Sequence, residues 1–513
     1  RASAALAASD ADQAAQAREL LGLARERNGE PAAAAAEYEQ YLADHPSGDG
    51  AERVRQRLAA LSTARDKPRE SVRGGERAAA DSEWEFTAGI SQYFWMDSLD
   101  YGDAAGSVDQ SAVFSDANLV LRRSGQRFDF ESRATLGHTW DLSGGPYEPG
   151  DQARIYNLYA DLHDRDLGLS ARLGRQTLRN QGVLGRFDGA LLSWQFAPDY
   201  RVNVVAGLPV YDPADSPESA RTFYGASIDV LDLLDLVDVN VFTLVQEVDG
   251  ISDRQSAGAE VRYFGKGRAL AAMVDYDFSY SELNSLIGTG TWTLPNGLTL
   301  TGQFDWRKAP YLTTENALIG QAAGSIQDLL LTYTEAEIRQ LALDRTGAVQ
   351  SLAFGVSKPV SPRFDVSADV TVSSYDATAD SGGVRDTPDS GTLTYSYLSL
   401  IGNSLFREGD LSVVGLRYSD SGAFASTALI LDTRFPVGRD FRLNPKLLVS
   451  RREVSPGDLT ELLVRPGVRV LYRAARRFQL ELEGGGEFST TDGAAASNDA
   501  TGYYLYMGYT ADF

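Results

Sequence analysis

Three histidines, His45, His138 and His163, and no cysteine are all that this 513-residue chain offers for imidazole or thiolate chemistry. No His-Glu-x-x-His pair, no Gly-x-Ser-x-Gly elbow with plausible partners and no EF-hand loop occurs. The sequence therefore predicts no catalytic residue, no metal site and no cofactor. His138 and His163 fall on predicted strands near acids, but a chain this long places such pairs by chance. The charged residues carry a different chemistry. Arg172, Arg186 and Asp188 flank or interrupt the stretch from Leu173 to Gly189, and Arg307 precedes a long insertion. Opposed basic and acidic side chains around a passage set its selectivity, so these four are candidate lumen residues. The glycines between Gly174 and Gly189 are no phosphate loop, because no Gly-Lys-Ser/Thr and no helix follows.

The elements that must position these residues change near residue 82. Residues 1–66 are rich in Ala, Glu, Arg and Leu with helical periodicity, 67–82 are charged and Gly-containing and read as a linker, and 83–513 form short alternating segments. Leu21, Gly22, Ala34, Tyr38 and Pro46 have the spacing of one 34-residue tetratricopeptide repeat, in which small residues allow close helix packing. One repeat cannot bury its own core, which predicts further repeats before residue 1.

From Glu83 onward, segments of about 10 to 14 residues alternate apolar and polar, as expected of strands with one face on lipid and one on a wet lumen. Tight turns at 124–126, 164–166, 198–200, 265–267, 295–297, 361–363, 407–409, 437–439 and 474–476 alternate with longer or more acidic links at 97–108, 143–152, 180–187, 212–220, 376–389 and 489–499. The expected fold is mainly β, a large transmembrane antiparallel barrel of about 22 strands (range 16–22). Short turns would lie in the periplasm and long loops outside. Trp84, Trp95, Tyr211, Tyr280, Trp306, Tyr311, Tyr472 and Tyr503 would suit interfacial girdles.

The longest non-alternating stretch, 309–347, is expected on the extracellular side as a gate over the lumen. Thr334 with Glu337 forms a capping box. Leu329, Leu330 and Tyr333, then Ile338, Leu341 and Leu343, would be apolar faces of two short helices, with Arg339 beside them. Acidic outer links such as 215–218 could hold divalent cations weakly near lipopolysaccharide, and solubility explains them equally well.

Composition limits the remaining options. A net charge of −23 and a pI of about 4.6 argue against nucleic acid as a partner. Mean hydropathy is −0.26, and no apolar run approaches the length of a spanning helix. The absence of cysteine fits an oxidising compartment.

At the carboxy terminus, Leu505, Met507, Tyr509, Ala511 and Phe513 share one strand face. This resembles the insertion signal of bacterial outer-membrane proteins and implies recognition by the barrel assembly machinery. A tetratricopeptide segment joined to such a barrel resembles the exopolysaccharide export porins. That resemblance implies periplasmic helices docking partner proteins, a barrel in outer-membrane lipid and lipopolysaccharide, and polymer passage through the lumen. Those barrels are described as 16-stranded, from which the larger count departs. The alternative is an outer-membrane anchor or assembly platform with a plugged barrel, and a passive porin ranks third.

Overall fold

The computed structural model describes residues 84–100, 107–143, 150–183, 185–455, 459–493 and 498–513, with 34, 37, 38, 40–42, 51 and 54 near the amino terminus. The strands are β1 (Trp84–Asp100), β2 (Ser107–Ser124), β3 (Phe128–Asp141), β4 (Gln152–Asp164), β5 (Leu169–Thr177), β6 (Arg186–Ala197), β7 (Tyr200–Val210) and β8 (Arg221–Leu233). Next come β9 (Val237–Val248), β10 (Ile251–Gly265), β11 (Arg268–Asp277), β12 (Glu282–Thr293), β13 (Thr299–Ala309), β14 (Gly347–Ser361) and β15 (Phe364–Tyr375). The last seven are β16 (Leu393–Asn403), β17 (Leu411–Asp420), β18 (Phe424–Val437), β19 (Phe441–Val454), β20 (Leu459–Ala475), β21 (Phe478–Asp492) and β22 (Asn498–Asp512). Every strand pairs antiparallel with its sequence neighbours, and β1 also pairs with β22, so the sheet closes on itself. Reciprocal bonds between Ala88 and Phe513 extend that seam to the last residue.

Closure follows from the period-2 pattern. On β13, Leu300, Phe304 and Trp306 alternate with Thr301, Gln303, Asp305 and Arg307. One set must leave water and the other must keep it, and a closed sheet satisfies both while leaving no unpaired edge. The apolar set points outward and stays bare: Leu158, Leu173, Val204, Val241, Leu352 and Met507 are each at least half exposed. An apolar belt of this extent has no place in water and suits a bilayer. The chain is a transmembrane β-barrel. Strands about 4.8 Å apart and tilted by roughly 40° give 22 of them a backbone diameter of about 44 Å, too wide for wall side chains to fill.

At one end the ten connections are turns of two to seven residues, among them every tight turn named above. The other end holds the long links, but Asp249-Gly250, 278–281, 421–423 and 455–458 are short there as well. Trp84, Trp306, Tyr472 and Tyr503 have outward parity near strand ends. Trp95 shares the inward parity of Tyr93, Tyr211 shares that of Asn203 and Val205 and its ring lies under Arg221, and Tyr280 is buried, so none of these three belongs to a girdle. Of the repeat residues, Ala34 and Tyr38 are helical and fully buried with Tyr41, Ala51 and Val54. Leu21, Gly22, Pro46 and the 67–82 linker lie outside the described residues.

Candidate functional site

Two segments fold from the long-link end into the lumen, and both rest on the same arc of wall. The first is the 310–346 insertion. It contains a 3-10 turn (Thr314–Leu318), helix α1 (Ile326–Leu330) and helix α2 (Glu335–Asp344). The Ser325 hydroxyl accepts from Asp328 N to start α1, and Thr334 with Glu337 forms the reciprocal capping box of α2. Ile326, Leu329, Ile338, Leu341 and Ala342 form one core with Leu312, Ala317, Val248 and Tyr280.

Its polar anchors reach inward-facing groups of β8 to β12. Arg221 pairs with Glu315, and Asp253 accepts from Glu315 N at 3.1 Å. The Tyr280 phenol and Thr314 hydroxyl are 2.7 Å apart, and Asn284 accepts from Leu312 N at 3.0 Å. Beyond the strand ends, Asp249 accepts from Ile326 N, and Arg345 donates to the Ala317 carbonyl. Burial pushes the Glu315 carboxyl above its usual range in spite of Arg221. The Thr334 N–H and hydroxyl hold Glu337 below that range.

The second inward segment is 178–183, between β5 and β6. Val183 joins Phe187, Val205, Phe223 and Leu244 in an apolar cluster on the inner face of β6 to β9. Gln181 N donates to Glu260 at 2.6 Å, and Arg254 donates to the Gly182 carbonyl at 3.2 Å. The segment thus spans β7 to β9 and is tied to β10 well below its outer end. Gly182 sits at φ +78 against the Phe242 ring, where a Cβ would lie 2.5 Å from the nearest ring carbon. The alternation of turns and links assigns 180–187 to the outward links; the apolar Leu178 and Val183, with no acid between them, are the local sign of the inward course the chain takes. Behind both segments, Arg254 and Asp275 form a pair that is almost wholly enclosed.

Among the described residues, no hydrogen bond or ion pair joins either segment to β1 to β4 or β17 to β22. Among the described residues neither segment covers that far wall, which is charged. Lys446 and Arg469 meet Glu483, Arg469 also meets Glu481, and Arg465 meets Glu487. Arg434 lies 3.7 Å from Asp432, whereas Arg442 and Arg473 have no carboxylate within 4.0 Å among the described residues. Arg442 instead feels the like charges of Arg434, Arg473 and Arg469. On the adjoining strands Tyr93 stacks on Phe114 at 4.9 Å and contacts Tyr506 at 5.3 Å. Sequence reading singled out none of this wall, because its members are spread over 400 residues and meet only through register.

The predicted site residues are only partly brought together. Arg172 faces the lumen, bonded to Asp161 at 2.7 Å and lying over the Tyr159 ring. Arg307 faces it too, 3.5 Å from Asp305. Arg186 donates to the Tyr156 carbonyl and covers that ring. Asp188 does not face the lumen. It has the parity of the lipid-facing Leu192 and Trp194, and it binds Arg175 in a fork of 2.7 and 2.8 Å beneath the 211–220 link, where Arg175 also reaches the Pro213 and Asp215 carbonyls. In the insertion, Leu329, Ile338 and Leu341 are core and Tyr333 packs against them, but Leu330 is exposed and Arg339 pairs with Glu335 along α2. Leu505, Met507, Tyr509 and Ala511 share the outward parity of β22, and Phe513 at its end is exposed.

No family model and no curated protein matches the chain. Solved structures that resemble it include Acinetobacter baumannii OccAB3, at 10% identity and a TM-score of 0.41, covering 84% of this chain and 100% of that one. Pseudomonas aeruginosa OccK2 (OpdF) matches at 10% identity and 0.39, covering 84% and 98%, and OccK3 (OpdO) at 12% and 0.34, covering 84% and 96%. At these scores the description of the barrel rests on its own strand pairing.

Proposed function

We propose that the protein is a bacterial outer-membrane channel through which small hydrophilic solutes diffuse, with its short turns and amino-terminal segment in the periplasm. The observation that carries this reading is the one-sided narrowing: 178–183 and 310–346 occupy the arc from β6 to β14 and leave the opposite, charged wall clear. A fixed constriction beside a polar wall filters by size and charge. Polymer export loses its place as the leading reading. The barrel has 22 strands where the export porins are described with 16, and bonds from Leu312, Thr314 and Glu315 root the insertion on β10 and β12. The diffusion channel, third in the sequence reading, takes first place. On this reading the barrel assembly machinery recognises Phe513 and its alternating neighbours, and lipopolysaccharide surrounds the outer girdle.

Swelling of liposomes carrying the purified protein tests it. Arabinose and glucose should enter, and rates should fall steeply with solute size, reaching zero for polyethylene glycols of several kilodaltons. Absence of swelling with every solute would reject a channel, and size-independent entry would reject the constriction.

A further inference from the structure

The open wall contains a notch whose chemistry is that of a sugar site. It lies where β21, β22 and β1 meet and has a volume of about 140 Å³. Its floor is Gly508, where a Cβ would come within 2.8 Å of the Tyr93 Cβ and 3.3 Å of the Tyr506 phenol oxygen. Any other residue would fill the space. Tyr93 and Tyr506 form one side, and Gln479, Glu481 and Thr510 form the rest. All have inward parity: Gly508 stands opposite Tyr93 and Glu481, and Thr510 stands opposite Gln479. Among the described residues, the Gln479 amide, the Thr510 hydroxyl and the Tyr93 and Tyr506 phenols make no hydrogen bond within the protein. Arg469 pairs with Glu481 and holds its side chain in place.

We propose that this notch binds one pyranose ring of a saccharide passing through the lumen, a reading that rests on the channel function above. A pyranose has an apolar face of C–H groups and an edge of hydroxyls. Aromatic side chains offer an electron-rich surface to the first. An amide, a hydroxyl and a carboxylate supply donors and acceptors to the second. A free amino acid would bring an ammonium and a carboxylate to a place whose one lining charge, Glu481, is already paired with Arg469, and an alkyl chain would leave four polar groups unanswered. The volume holds roughly four or five waters, on the scale of one ring rather than a chain. The notch is open to the lumen, so occupancy is brief, as conduction requires.

The test is glucose-induced block of single-channel current in planar bilayers, with tetraethylene glycol as a control blocker of similar size. Glucose should interrupt the current at concentrations where the glycol does not, and Tyr506→Ala and Gln479→Leu should each raise the half-blocking concentration at least 10-fold. Equal block by both solutes, or unchanged half-blocking concentrations in both variants, would overturn the proposal while leaving the channel intact. If the protein conducts no current, the channel reading fails on its own. Calorimetric titration of glucose into the detergent-solubilised protein then decides: heat lost in Gln479→Leu supports the notch, and no heat in the parent overturns it.

Discussion

Replacing Ile338 by alanine should release the 310–346 segment without touching the barrel wall. Ile338 is fully buried on α2, enclosed by the core that includes Leu312, Ile326, Leu329 and Leu341. The change removes three carbons from a site held on both sides, and such truncations cost about 2–5 kcal/mol. None of the lost contacts is a strand-pairing hydrogen bond, so the cost falls on docking of the insertion. At about 3 kcal/mol the undocked fraction rises roughly 150-fold, since each 1.4 kcal/mol is a factor of ten. Leu330→Ala on the neighbouring helix is the control, because Leu330 is 39% exposed; surface changes of that kind stay within about 0.5 kcal/mol. Amide hydrogen exchange over 335–344 should speed up in the first variant and not in the second, and single-channel records of the first should show more frequent excursions to a larger conductance. Unchanged exchange would refute the packing argument. Faster exchange with an unaltered conductance distribution would show that the segment does not narrow the path.

Other parts of the lumen make separate predictions. Gly182→Val should lift 178–183 off the wall, since its Cβ would lie 2.5 Å from the Phe242 ring at a φ of +78 that a β-branched residue resists; open-channel conductance should rise, and an unchanged value would place the segment outside the constriction. Arg442→Ala with Arg473→Ala should lower the anion-to-cation permeability ratio, read as a shift of reversal potential in a KCl gradient, because neither guanidinium is neutralised by a neighbouring carboxylate; no shift would contradict this. Docking of 310–346 should depend on pH in two windows. Glu315 has its pKa raised above 4.5 in the folded state, so the docked form binds more protons and loses stability as pH rises from about 4.5 through the raised value. Glu337 is lowered, so its contribution is present above 4.5 and lost as pH falls below that value. Exchange protection over 310–346 should therefore peak in mildly acidic solution, and Glu315→Gln should flatten the upper arm; protection that rises steadily to pH 8 would oppose the assignment.

Much of the barrel was legible because its signals are local. Alternation on strands such as β13 and punctuation at Gly265-Lys-Gly267 or Pro295-Asn-Gly297 fix strand number and direction within a few residues of chain. The capping box at Thr334 and Glu337 is equally local. The lumen was not legible to the same degree, because alternation separates the two faces of a strand without saying what covers each. Arg172 faces inward and Arg175, three positions on, faces outward, and only the distant 211–220 link shows why the Arg175 pair with Asp188 is enclosed on the outer side. The 178–183 segment finds its partner at Glu260, 79 residues away from Gln181, and no pattern in the intervening sequence announces that contact. Leu329 and Leu330 are alike in type and adjacent, and only the direction from which α1 meets its core separates the buried one from the exposed one.

The most direct measurement is the single-channel conductance of the purified protein in planar bilayers, with the insertion intact and with 310–346 replaced by a short linker. A diffusion channel narrowed from one side predicts stable openings of the intact protein and a larger unitary conductance in the shortened one. Silence from both forms would contradict it and would make the barrel a plugged support for a surface assembly.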